Sequence, residues 1–186
     1  MITEQLYFIA IILPEPIKDQ VQKIKQEFAN CFGATHALKS PPHITLIPPF
    51  KTSSQIATEV AEFLEKTSQE VNAFQLIIKD FSCFKPRVIF LNPLLNQELE
   101  VMQKHLQKEF YRKFPFGEPS LRPFHPHLTI AFRDLTPKMF YKAWPIYKNK
   151  TYGAQFMVDR IYLLRHNGKI WQEFKGFTFG NPGLPT

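Results

Sequence analysis

Two short runs of the chain carry the same side chains in the same order. Pro42-His43-Ile44-Thr45-Leu46 and Pro126-His127-Leu128-Thr129-Ile130 both read Pro-His-aliphatic-Thr-aliphatic. In an extended strand successive side chains alternate between faces, so a His and a Thr at i and i+2 point the same way and their aliphatic neighbours point the other. Each run therefore buries an aliphatic row and presents a His-Thr pair. Imidazole gains and loses its proton near pH 6.5 and can serve as base or acid near neutrality. A threonine hydroxyl can donate to a non-bridging phosphate oxygen. Two such pairs facing each other across a groove suit phosphodiester chemistry. One imidazole deprotonates the attacking oxygen, the other protonates the leaving one, and the hydroxyls hold the phosphorus between them. His43 and His127 are thus the candidate catalytic residues, and Thr45 and Thr129 the candidate substrate-binding ones. The scheme requires no metal and no cofactor. A single His-x-Thr occurs by chance in many proteins; the matching flanks of two copies carry this reading.

The elements that must position the motifs follow from periodicity and punctuation. Residues 7–13 read as a strand stopped by Pro14 and Pro16. Ile17, Val21, Ile24 and Phe28 then recur at helical spacing up to Gly33. The first motif strand spans residues 43–47 and is closed by Pro48-Pro49. Ser53 or Ser54 caps a further helix, and residues 74–78 and 87–91 are strands joined by a turn at Lys85-Pro86. In the second half Leu95, Leu99, Met102, Leu106 and Phe110 form a helical stripe. A Pro-rich loop over residues 114–126 delivers the chain to the second motif. Thr136-Pro137 opens another helix. Residues 155–164 and 170–177 close the chain as a hairpin through His166-Asn167-Gly168. With no long linker and no low-complexity block, residues 1–186 are expected to form one domain of two similar halves.

Composition narrows the partners. The formal charge of +7 favours acidic ligands such as RNA or nucleotides. Cys31 and Cys83 are too few for a disulfide scaffold and show no metal-ligand spacing, so both read as reduced packing thiols. The apolar run at residues 7–13 is too short to span a bilayer, and Glu4 stands where a signal peptide would be basic. A cytoplasmic, monomeric protein with no membrane association is the expectation. Among the other histidines, His36 and His166 fall in loops and read as solvated, and His105 sits at the edge of a helical stripe. His125-x-His127 could chelate a metal, but no nearby carboxylate or cysteine completes a site. Phe8, Phe84 and Phe90 are read as core residues, with base stacking as the alternative.

The paired motifs "PPHITLIP" and "HPHLTIAF" resemble those of the 2H phosphoesterase superfamily, in particular its 2′-5′ RNA ligase-like group. "LYFIAIILPEP" and "FKPRVIFL" are similar too, so the resemblance spans nearly the whole chain. It implies an α+β, bilobal fold with two antiparallel sheets flanking a central groove and helices on the outside. It also implies cyclic phosphodiesterase activity on 2′,3′-cyclic phosphate ends of RNA or nucleotides, with His127 activating water and His43 protonating the leaving oxygen. Some members join RNA ends through a 2′-5′ bond, and others act on 2′,5′-oligoadenylates or small cyclic phosphates. The chain departs from the group in one place. Many members carry an Arg in a "HLTLAR" pattern; here Phe132 takes that position and Arg133 follows, on the other face if the strand stays regular. Arg87 in "KPRVIF" is an alternative source of positive charge for substrate. A module that binds nucleotide or RNA in the same groove without turnover is the competing reading, and the intact motifs weigh against it.

Overall fold

A computed structural model of the protein describes residues 4–118, 120 and 122–180. Twelve regular elements alternate along these residues: β1 (Glu4–Ile12), α1 (Ile17–Phe32), β2 (His43–Ser53), α2 (Ser54–Gln69), β3 (Phe74–Phe84), β4 (Val88–Pro93), α3 (Gln97–Lys113), β5 (Leu128–Ala131), α4 (Pro137–Tyr147), β6 (Gly153–Val158), β7 (Arg160–His166) and β8 (Trp171–Thr178). A short 3₁₀ turn, His36–Lys39, joins α1 to β2. The helix boundaries follow the capping chemistry of the sequence. Gly33, at φ 70°, takes the left-handed conformation that ends α1, and its N–H returns to Ala29 O. Ser53 caps α2 by accepting from Ile56 N–H, and Thr136 caps α4 by accepting from Met139 N–H with Pro137 in the first turn.

The strands form one antiparallel sheet in the order β6-β3-β4-β5-β2-β1-β7-β8. This corrects the expectation of two separate sheets. The halves β6-β3-β4-β5 and β2-β1-β7-β8 meet through a single residue pair, Ile44 with Leu128. Both side chains are fully buried, each worth about 1.5–3 kcal/mol of apolar transfer. The junction of the halves is therefore also the anchor of both motifs. Ile44, Leu46, Leu128 and Ile130 enter a contiguous core with Val21 and Phe28 of α1, Leu64 of α2, Phe110 of α3 and Phe140 of α4. On the opposite side of the sheet a small cluster of Phe8, Ala10, Ile12 and Leu164 packs with Tyr162 and Trp171.

Two strand expectations are corrected. The first motif strand does not stop at Pro48-Pro49 but continues to Ser53. Its pairing with β1 skips between Tyr7–Phe50 and Ile9–Ile47, and again before Ala10–Thr45. At each skip β2 carries an extra residue, and such bulges accommodate prolines that cannot donate to the ladder. The segment 155–164 is two strands. Asp159 separates β6, which pairs with β3, from β7, which pairs with β1 and β8 in the other half. The apolar phase slips by one residue between the pair Phe156, Val158 and the pair Ile161, Leu163, which is the local trace of the break at Asp159. No helix among the described residues is long and apolar enough to cross a membrane.

Candidate active site

The pairing of Ile44 with Leu128 sets the geometry of the two motifs. In an antiparallel ladder the next residue along one strand faces the previous residue of its partner. Thr45 therefore lies opposite His127, and His43 opposite Thr129. The two histidines are diagonal neighbours, a relation that places Cα atoms ~7–8 Å apart on one face. All four side chains line a cavity of about 530 Å³. The rest of its wall includes Phe8, Phe84, His36, Lys39, Arg133, His166, Lys169 and Trp171, and among the described residues no aspartate or glutamate. Such a lining favours an anion.

Both imidazoles are held in the same way. Nδ1 of His43 lies 2.7 Å from Pro41 O, and Nδ1 of His127 lies 2.9 Å from His125 O. A carbonyl can only accept, so each Nδ1 carries the hydrogen and each Nε2 is left as the nitrogen that can give or take a substrate proton. Aromatic rings back both: Phe8 at 4.8 Å from His43, and Phe84 and Phe90 at 5.4 and 5.7 Å from His127. Of these, Phe90 is fully buried and Phe8 nearly so, whereas Phe84 is exposed at the cavity rim. Burial lowers both histidines. It pushes His43 down to about 4, against the pull of the Pro41 carbonyl and with help from the charges of Lys25 and His127. His127 is lowered by burial and by His125, and held up in part by the His125 carbonyl. The free protein thus keeps both imidazoles neutral at pH 7, and the first proton added rests on His127.

Arg133 lies in the cavity wall, on the face that alternation from His127 and Thr129 assigns to it, and Phe132 joins it there against that alternation. β5 ends at Ala131, and Arg133 adopts φ 58°. With the strand ended, Phe132 and Arg133 both reach the cavity. A non-glycine residue held at such a left-handed φ costs of order 1–3 kcal/mol, a cost that recurs at functional sites. Its Nη1 sits 3.2 Å from His36 Nε2, so His36 accepts as a neutral ring. Burial lowers His36, and the charges of Arg133 and Lys39 lower it further. Asp134 braces the same segment: its Oδ2 accepts from Thr35 N, Thr35 Oγ1 and His36 N at 2.9, 3.0 and 2.8 Å. His36 and His166, read from sequence as solvated, are half-buried wall residues. Nothing local marks them, because the 3₁₀ turn that carries His36 and the end of β7 that carries His166 reach the cavity only through sheet order. Arg87 is exposed in the turn between β3 and β4 and is not among the cavity residues.

The remaining candidates fall elsewhere. His125 is exposed and contributes its carbonyl to His127. His105 faces Glu70 at 3.7 Å on the surface. Among the described residues no group of three or more His, Cys, Asp or Glu could hold a metal ion. A wider depression of about 720 Å³ between β3 and β6 contains no histidine, and its Lys79 and Asp80 are of opposite charge.

Comparison with known proteins gives a concordant picture. Residues 13–170 match the model of the 2′-5′ RNA ligase superfamily. A Geobacillus sp. (strain WCH70) protein named provisionally as a phosphoesterase is 30% identical over 162 residues, covering 83% of this chain and 90% of that protein. The RNA 2′,3′-cyclic phosphodiesterase of Bacillus subtilis (strain 168) is 30% identical over 131 residues, covering 67% and 69%. Among solved structures, E. coli LigT in apo form superposes with a TM-score of 0.63 at 20% identity, over 95% of this chain and 98% of that one. Its complex with 3′-AMP gives 0.62 at 18% identity, over 95% and 99%. These structures share the fold.

Proposed function

The chain belongs to the 2′-5′ RNA ligase superfamily, and on that premise we propose that it is a metal-independent phosphodiesterase acting on 2′,3′-cyclic phosphate ends of RNA or nucleotides. One observation carries the reading. Two imidazoles, each with Nδ1–H tied to the carbonyl two residues back, share a cavity lined by cations and, among the described residues, free of carboxylates. In the proposed reaction the cyclic phosphate sits between them. One Nε2 takes a proton from water, and the resulting hydroxide oxygen bonds to phosphorus. The bond from phosphorus to one ribose oxygen breaks, and that oxygen takes a proton from the other imidazole. The product is a phosphomonoester beside a free hydroxyl, and the two histidines have exchanged protonation states. Thr45 and Thr129, each beside the opposite histidine, donate to the non-bridging oxygens, and Arg133 supplies a charge on the same wall. The Bacillus subtilis relative, named for this activity, supports the substrate class.

The ordering implied by the resemblance has His127 as base and His43 as acid. In the free protein His43 is the harder of the two to charge, so that ordering needs the bound phosphate anion to draw the proton across. The test is a panel of 2′,3′-cyclic nucleotides and cyclic-phosphate-ended RNAs with product analysis, run on the wild type, His43→Ala and His127→Ala. Turnover lost in both variants supports the reading. Tight binding with no turnover by the wild type would make the protein a nucleotide-binding module. Paired RNA halves included in the panel report end joining, which would use the same four side chains.

A further inference from the structure

Lys25 is the only lysine, arginine, aspartate or glutamate buried among the described residues, at 1% exposure. It stands on α1, a helix with ample exposed surface for a lysine, yet its side chain turns inward. No carboxylate among the described residues pairs with it. Its Nζ donates instead to two backbone carbonyls, Ala37 O and Ser40 O, each at 3.0 Å. An ammonium so placed is costly to desolvate, whereas an apolar side chain of similar volume would fill the space without that cost. Burial accordingly pushes Lys25 down to about 7. A residue this unfavourable for stability, in this position, calls for another reason.

The two carbonyls supply it. They belong to the 3₁₀ turn and the residue after it, and Ala37, Lys39 and Ser40 all line the cavity. The next carbonyl along the chain, Pro41 O, is the one that holds Nδ1 of His43 at 2.7 Å. Asp134 fixes the start of the same segment through Thr35 and His36. The wall segment is thus tied at one end by a carboxylate and at the other by the Lys25 ammonium. Among the described residues no charged side chain ties down the acceptor of His127, His125 O, which belongs to the Pro-rich approach to β5.

We propose that Lys25 is a positioning residue for the reaction: by tying α1 to Ala37 O and Ser40 O it fixes the Pro41 carbonyl, and so holds His43 in the tautomer whose Nε2 is free for substrate. The proposal rests on the paired-histidine reading for its consequence in catalysis, but the clamp itself can be tested without activity.

The test is Lys25→Met, which keeps the length and removes the donors and the charge. Ring ¹⁵N shifts of His43 and His127 are recorded alongside steady-state kinetics on a 2′,3′-cyclic nucleotide. The expected result is a folded protein in which the two His43 nitrogens move towards each other, as neutral tautomers interchange, while those of His127 stay in place. A small misplacement of a reacting group costs up to about 10²-fold in rate, so kcat should fall by roughly 10- to 100-fold with little change in KM. The limb of the pH profile that belongs to His43 should also shift, upward through loss of the Lys25 charge and downward as the Pro41 bond loosens. Lys25 and His127 are the charges that hold His43 down, and His36, Lys39, Arg133, His166 and Lys169 share its cavity. Wild-type His43 shifts in folded Lys25→Met would overturn the proposal. If that variant does not fold, Lys25→Gln keeps one amide donor and should show a partial tautomer change; unchanged His43 shifts there would equally overturn it. Altered shifts with unaltered kcat would instead overturn the catalytic role of His43.

Discussion

Above neutral pH most of the protein should stand in a protonation state that cannot turn over. The proposed chemistry needs one imidazole neutral and the other charged, and the structure lowers both. The drop of His43 from 6.5 to about 4 corresponds to about 3 kcal/mol against its charged form, and burial moves His127 in the same direction. kcat/KM, which reports groups in the free enzyme, should therefore follow a bell with its acid limb at about 4 and its alkaline limb below 6.5. Its maximum lies between the two limbs, on the acid side of neutrality, and above the alkaline limb the rate falls about tenfold per pH unit. The assay is kcat/KM on a 2′,3′-cyclic nucleotide across the acid and neutral range, with circular dichroism at each pH. That control matters, because between 6.5 and about 4 unfolded His43 binds a proton that native His43 does not, so stability declines as pH falls through this window. His43→Ala and His127→Ala should each cut kcat by ~10²–10⁴-fold and erase one limb, and the double variant should lose less than the product of the two. Loss of the acid limb in His127→Ala would identify His127 as the base. A bell centred at or above neutrality would refute the argument from burial. A His43→Ala enzyme with near-normal kcat and both limbs would refute the paired mechanism.

Three further outcomes are open to measurement. Thr45→Val and Thr129→Val should each lower kcat/KM by roughly ten- to a hundred-fold without abolishing turnover, since a hydrogen bond to a charged group is worth about 1.5–3 kcal/mol. Arg133→Ala should lose a similar amount in the same assay, while Arg87→Ala, exposed in its turn, should stay within about twofold, as surface substitutions do; the reverse pattern would restore Arg87 as the substrate contact. Activity should survive EDTA because the proposed acid, base and anion donors are all side chains, and loss on chelation with recovery on adding Zn²⁺ or Mn²⁺ would direct attention to His125-x-His127.

The sequence by itself determined the chemistry and much of the local structure. The repeat of His and Thr at i and i+2 is written in residue order, and strand alternation then separates the reactive pair from the aliphatic pair without knowledge of the fold. Helix ends at Gly33, Ser53 and Thr136 were equally legible, because capping is chemistry between near neighbours. What only the tertiary structure decided depends on partners distant in sequence. One residue pair, Ile44 with Leu128, joins the halves into a single sheet and makes the histidines diagonal neighbours. Asp159 divides one apolar stretch into strands in opposite halves of that sheet, and which partner each strand takes is decided by residues far away in sequence. The end of β5 at Ala131 lets Phe132, which strict alternation would have kept on the other face, reach the cavity beside Arg133. His36, His166 and Lys25 look from sequence like ordinary loop and helix-surface residues. Their roles arise because sheet order and helix packing bring Asp134, the 3₁₀ turn and the β7–β8 loop around one cavity, and local pattern holds no record of contacts made across a hundred residues.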